Sequence, residues 1–206
     1  MAVAIRTHQY ESDAEIVDLV TSPGHSYWFH SKDPAAGVGP HPTLSHDEIE
    51  IVARRGIVGD RFFGNDVGVG GGVERSSKLS SAVSLVAAEA VEEVALELGL
   101  ARDALDPVLM RRNVVTRGID LNALRRQRFA LRQGDVVLEF EAGGETAPCA
   151  WMDRALAPGA RDLLRGRGGL RAAPLTSGPL RVGPVTLTCG RRARTATSPT
   201  HPSRDL

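Results

Sequence analysis

Cysteine occurs only twice in 206 residues, as Cys149 and Cys189, with neither a CxxC pair nor a regular framework. A disulfide-dense secreted scaffold is thereby excluded, and a reducing compartment fits better, although one Cys149–Cys189 bridge stays open. Lysine is equally scarce. Lys32 and Lys78 are the only two, so Schiff-base chemistry has two candidate amines, neither in a pyridoxal-phosphate context, and no such cofactor is expected on this chain. Aromatics make up 4% of the residues, which leaves an aliphatic core. The 25 basic and 25 acidic residues cancel, removing the global positive field on which nonspecific nucleic-acid binding relies. Any phosphate contact must therefore be local, and no nucleic-acid partner is expected. No stretch approaches the roughly 20 apolar residues of a membrane span. The first residues, MAVAIRTHQYESDAEIVDL, mix in charge early and lack an apolar run with a small-residue cleavage site, so a soluble, cytoplasmic protein is expected.

What is present is arginine, glycine and a series of short strand-like runs. In the first half, residues 15–20, 48–54 and 82–86 read as strands, the second because Ile49, Ile51 and Ala53 alternate with polar neighbours. Residues 21–47 hold Pro, Gly, Ser, four of the six histidines and the aromatic group Tyr27, Trp28 and Phe29, which predicts a long loop. The glycine-dominated run 64–72 fits neither a dinucleotide fingerprint nor a Walker phosphate loop, since the third glycine position is Val73 and no Gly-Lys-Ser/Thr follows. Ala87, Ala90, Val91, Val94, Ala95 and Leu98 recur at helical spacing, predicting a helix over 87–98 that stops at Gly99. Its glutamates, Glu89, Glu92, Glu93 and Glu97, lie mostly opposite the apolar stripe and read as a solvated face.

The second half is denser in strands: 113–116, 128–131, 136–140, 170–175 and 185–188, with Gly134-Asp135 as a tight connection and a short helix over 160–164. Close-spaced strands with few helices predict a mainly β chain, a closed or nearly closed β-barrel with a few peripheral helices. One domain over 1–190 and a disordered tail over 191–206, which carries hardly an apolar residue, complete the expected organisation.

Few residues offer chemistry. Cys149 follows Pro148 at the exit of the strongest strand, and strand ends at a barrel mouth are common ligand sites, whereas a cysteine within a strand, such as Cys189, is more often inert packing. Arg111-Arg112-Asn113 opens a strand with two guanidinium forks and an amide, groups that hold phosphate or a polar heterocycle, or that simply decorate a surface. His25 and His30, like His41 and His46, are five apart in loop sequence, a poor pattern for zinc. No Gly-x-Ser-x-Gly elbow marks a serine hydrolase.

Six segments in order resemble the MOSC domain family, named for the C-terminal domain of molybdenum cofactor sulfurases. They are RGIVGDRFFG from Arg55, VSLVAAEA from Val83, RRNVVTRGIDL from Arg111, APCAWMD from Ala147, GRGGLRA from Gly166 and GPLRVG from Gly178. The resemblance implies a β-barrel that binds molybdenum cofactor, with Cys149 as its reactive centre: either the molybdenum ligand of an oxidoreductase reducing N-hydroxylated or related small substrates, or a persulfide-holding sulfur carrier. It implies Arg111 and Asn113 as holders of the pterin or its phosphate, with Arg61 and Lys78 as further cofactor-binding positions. The chain departs from the family's histidine-glycine-glycine pattern in the glycine loop. A soft thiolate suits a high-valent metal already held by dithiolene sulfurs, and nearby guanidiniums favour the thiolate form. No flavin, haem or iron–sulfur motif is present, so a reductase needs a separate electron-donor protein and a carrier needs a separate cysteine desulfurase. The barrel also predicts that Arg111, Asn113 and Cys149 meet at one rim, with Arg112 on the opposite face because neighbouring strand residues alternate.

Overall fold

The computed structural model describes residues 9–24, 43–63 and 82–190. The central part of the 21–47 loop with Tyr27, Trp28 and Phe29, the 64–72 glycine run, Lys78 and the 191–206 tail lie outside the described residues. Eleven strands, three α-helices and one 3-10 helix occur among the described residues.

The strands are β1 (Gln9–Thr21), β2 (Leu44–His46), β3 (Glu48–Val52), β4 (Gly56–Ile57), β5 (Val83–Ala87), β6 (Val114–Arg117), β7 (Arg128–Gln133), β8 (Val136–Glu145), β9 (Leu170–Pro174), β10 (Gly178–Arg181) and β11 (Gly183–Gly190). Seven of them close a barrel in the order β11-β7-β8-β9-β5-β6-β1, because β11 pairs back onto β1. The expected closed, mainly β barrel is therefore the fold. Closure leaves none of the seven with an unpaired long edge. Every barrel pairing is antiparallel except β5–β6. Parallel neighbours cannot be joined by a hairpin, and here the crossover runs through α1 (Ala88–Glu97) and the 3-10 helix (Pro107–Met110).

That crossover explains the two hydrophobic layers. Inside the barrel, Ile16, Leu85, Val114, Phe129, Leu138, Phe140, Leu170 and Leu187 form one core. Outside it, Val86 and Val115 point the other way and meet Val91, Val94 and Ala95 of α1 together with Met110, Met152 and Leu164. Strands β5 and β6 are thus covered on both faces and show no exposed position, whereas β7 and β8 alternate buried with more exposed residues. The β7–β8 hairpin turns on Gly134-Asp135 as expected; Gly134 has a φ of +57°, which a side chain would strain. A second sheet, β10-β3-β4, adds Ile49, Ile51, Ile57 and Leu180 to the interior core.

Three strands and two helical pieces escaped the sequence reading. β2, β4 and β10 are two to four residues long and take their places from pairing partners; the last contains Pro179, and its pattern carries no alternation to detect. The 3-10 helix and α2 (Trp151–Ala155) are likewise too short for a helical period to show. α3 (Ala160–Leu163) falls where expected. The glutamates of α1 are engaged rather than merely solvated: Arg117 and Arg102 bind Glu92, Arg167 binds Glu93 and Glu97, and Glu89 accepts from the Gly118 amide at 2.7 Å. The hydrogen bond from Arg117 holds the Glu92 carboxyl below the usual range. Among the described residues no helix is long and apolar enough to cross a membrane.

Candidate functional site

A cleft of about 190 Å³ opens where the 3-10 helix, the exit of β8 and the start of α2 converge. Cys149, Arg61, Arg111, Arg112, Arg171 and Thr146 all line it. Of the three residues expected to meet at one rim, Arg111 and Cys149 do, whereas Asn113 does not line the cleft, which corrects that part of the expectation. The route by which each arrives differs from the expectation.

Arg111 does not open a strand; it caps the 3-10 helix. Asp106 at the other end accepts a hydrogen bond from the Val108 amide, Pro107 begins the helix, and Arg111 closes it in the left-handed region at φ 58° and ψ 38°. This turn decides where the next guanidinium goes. Alternation holds only for extended backbone, and a left-handed residue breaks it. Arg112 consequently lines the same cleft as Arg111, which corrects its expected placement on the opposite face. The two point to different walls. Arg111, 6% exposed, donates from Nε to Ser22 Oγ at 3.3 Å and from Nη2 to the Gly24 carbonyl at 2.9 Å. Arg112 instead reaches the carbonyls of Met110 and Gly168, each at 3.2 Å, and those of Thr146 and Ala147, each at 3.5 Å.

Asn113 is buried and does not line the cleft. Its amide donates to the Val20 carbonyl and to Asp60 Oδ2, both at 3.1 Å, and its Oδ1 accepts from the Ser84 amide at 3.0 Å and the Ser84 hydroxyl at 2.8 Å. All four hydrogen-bonding positions of that amide are thus filled by protein. Asp60 in turn accepts from the Ser22 and Phe62 amides and stands 4.0 Å from Arg61. The Arg61 guanidinium lies 4.5 Å from the centre of the Phe62 ring. Asn113 therefore acts on the cleft through Asp60 and Ser84, joining the wall that carries Arg61 to the strand that follows Arg111.

Cys149 stands four residues beyond the end of β8 rather than on it. Opposite Arg171, β8 carries two residues, Gly143 and Gly144, where β9 carries one, and this bulge bends the chain over the rim. The segment that follows is tied down at both ends: the Thr146 amide donates to the Gly169 carbonyl, and the Met152 amide to the Cys149 carbonyl, each at 2.9 Å. Trp151 Nε1 donates to the Leu109 carbonyl at 3.0 Å, fastening α2 to the 3-10 helix. The thiol itself is exposed. Thr146 is 6% exposed, yet its hydroxyl has no partner among the described residues. Sequence reasoning missed Thr146 and Arg171, since a lone Thr before Ala-Pro-Cys and a lone Arg within a strand carry no spacing signal.

Cys189 faces other cavities on β11, half-buried, and burial pushes its thiol up. Among the described residues no cluster of His, Cys, Asp and Glu could by itself hold a metal ion. His46 is engaged with the Thr21 hydroxyl at 2.7 Å.

Fold and site together define a closed β-barrel with an exposed thiol set among guanidiniums at one rim. The chain belongs to the MOSC domain family, whose model matches residues 59–185. Among solved structures it is similar to the YuaD protein from Bacillus subtilis, with a TM-score of 0.64 and 19% identity over 90% of this chain and 100% of that one. It is also similar to YiiM from Geobacillus stearothermophilus, with a TM-score of 0.54 and 12% identity over 90% of this chain and 79% of that one. At these identities the likeness establishes the fold. No curated protein matches.

Proposed function

We propose that the cleft binds molybdenum cofactor and that the protein is an oxidoreductase that reduces N-hydroxylated or related small substrates, with Cys149 as the molybdenum ligand. The observation that carries this reading is the shared cleft: one exposed thiol, four guanidiniums and a buried Thr146 hydroxyl that no group among the described residues satisfies. A buried hydroxyl without a partner costs stability unless a ligand completes it. These groups fit a phosphate-bearing pterin whose metal accepts one thiolate, because the cofactor brings its own sulfurs and the absence of a clustered ligand set is then no obstacle.

When bound, the cofactor supplies a two-electron redox centre. The chain's own residues have separate tasks: Cys149 donates the thiolate, Arg61 and Arg111 hold the phosphate, and Asn113 keeps Asp60 and Ser84 in register behind them. Lys78 is a further proposed contact. Electrons come from a separate protein. The test is purification from cofactor-competent cells followed by metal and pterin analysis, with Cys149→Ser as control. Molybdenum and pterin in the wild type are expected, and the absence of both overturns the reading.

The exposure of Cys149 favours a second reading, a sulfur carrier. There the Cys149 thiolate attacks the outer sulfur of a cysteine desulfurase's persulfide, forming the new S–S bond as the donor's thiolate leaves. Intact mass after incubation with a desulfurase and cysteine should then show one added sulfur, absent in Cys149→Ser; an unmodified thiol removes this alternative.

A further inference from the structure

We infer that Arg112 is a positioning residue for Cys149, acting together with the glycine turn at Gly168 to which it is hydrogen-bonded. The inference takes its meaning from the reading of Cys149 as the reactive centre, but the geometry stands apart from it. Cys149 lies on a segment between β8 and α2 without ladder partners; the Thr146 and Met152 amides tie its ends, and residues 146–148 need a further hold.

One guanidinium provides it. Arg112 Nε donates to the Gly168 carbonyl and Nη1 to the Met110 carbonyl at 3.2 Å, while Nη2 divides between the Thr146 and Ala147 carbonyls at 3.5 Å. The planar fork thereby joins three separate stretches: the end of the 3-10 helix, the approach to Cys149 and the glycine turn before β9. An ammonium, a single point of charge on a flexible stem, cannot span that set. Met110 is fully buried, which makes the anchor end of the fork a rigid one.

The glycine turn is pressed against the same segment. A Cβ at Gly168 would come within 2.6 Å of the Thr146 carbonyl oxygen and 3.0 Å of Pro148 Cδ, so only glycine lets the two chains lie this close. The turn is itself held by Glu145, which accepts from the Gly166 amide at 2.8 Å and pairs with Arg125 at 3.4 Å. Residues 146–148 are therefore held by a guanidinium and a turn that are themselves bonded together, with Cys149 following directly.

The experiment uses cofactor-free protein, so that loss of cofactor binding cannot be mistaken for loss of positioning. Amide hydrogen exchange over residues 146–152 and the second-order rate of Cys149 alkylation by iodoacetamide are measured in wild type, Arg112→Ala and Arg112→Lys, with thermal midpoints recorded alongside. The expected result is exchange about tenfold or more faster in 146–152, with the β7–β8 hairpin unchanged, and an alkylation rate altered at least threefold in both variants. Gly168→Ala should disturb the same segment. Unchanged exchange and alkylation in Arg112→Ala overturns the inference. So does a rise spread evenly over the barrel, which would mark Arg112 as a general stabiliser, or full restoration by lysine.

Discussion

The Asn113 side-chain amide donates to Asp60 Oδ2 at 3.1 Å across 53 residues of sequence, and both side chains are buried. This contact ties the barrel strand beginning at Val114 to the turn that carries Arg61. Removing the amide would leave Asp60, Ser84 and the Val20 carbonyl each short of a partner. Asn113→Ala should accordingly cost about 2–3 kcal/mol, since unsatisfied buried polar groups cost about 1–3 kcal/mol each and partial relaxation absorbs some of the sum. A denaturant midpoint and slope measured together check this. A loss below about 0.5 kcal/mol would contradict the keystone role.

Arg111→Ala should weaken cofactor retention by about tenfold to over a hundredfold, the range that follows from one charged phosphate contact of about 1.5–3 kcal/mol. Pterin content per polypeptide, compared at matched thermal stability, measures it. Retention equal to wild type removes Arg111 from the proposed site.

Glu92 supplies a pH signature far from the cleft. Its pKa is lowered from the ordinary 4.5, chiefly by the Arg117 hydrogen bond. The folded value lies below the unfolded one, so the stabilisation is fully present above 4.5 and is lost as pH falls through the folded value. Arg117 is 43% exposed on its side chain, and solvent screening holds the expected cost of Glu92→Gln to about 0.5–1 kcal/mol at pH 7. Urea titrations at neutral pH should separate the two proteins, and the gap should narrow as pH falls below 4.5.

The two thiols should react at different rates. Cys149 is exposed, whereas Cys189 is half-buried with its thiol pushed above the ordinary 9.0 by burial, so less of it is thiolate at any given pH. Intact mass during iodoacetamide treatment at pH 7.5 should show one fast addition, abolished by Cys149→Ser, and a slower second one that accelerates as pH rises. A fast addition surviving in Cys149→Ser would reverse the assignment.

The barrel was legible because its longer strands repeat every two residues and α1 every 3.6, periods that any run of sufficient length displays. Phe129, Leu131, Leu138 and Phe140 sit inside as their alternation requires. β4 and β10 were not legible, because two to four residues carry no period and their pairing is imposed from elsewhere. Within the site, the Ala-Pro-Cys and Arg-Arg-Asn segments marked Cys149 and Arg111 by residue type. Arg171 had no comparable mark, since its place in the cleft arises from β9 lying beside β5.

By itself the amino-acid sequence determined the composition of the core, the order of the longer strands, the crossover helix and the kinds of group available for chemistry. All of these follow from local pattern and side-chain type. Only the tertiary structure decided that Arg112 shares a cleft with Arg111, that the Asn113 amide is filled by protein, and that Cys149 hangs on a segment held by Arg112 and the Gly168 turn. The reason is physical: a left-handed φ at Arg111 redirects the chain locally, and a bulge at Gly143-Gly144 and a close approach at Gly168 depend on contacts with residues more than twenty positions away. Such contacts have no periodicity in the sequence from which to be read.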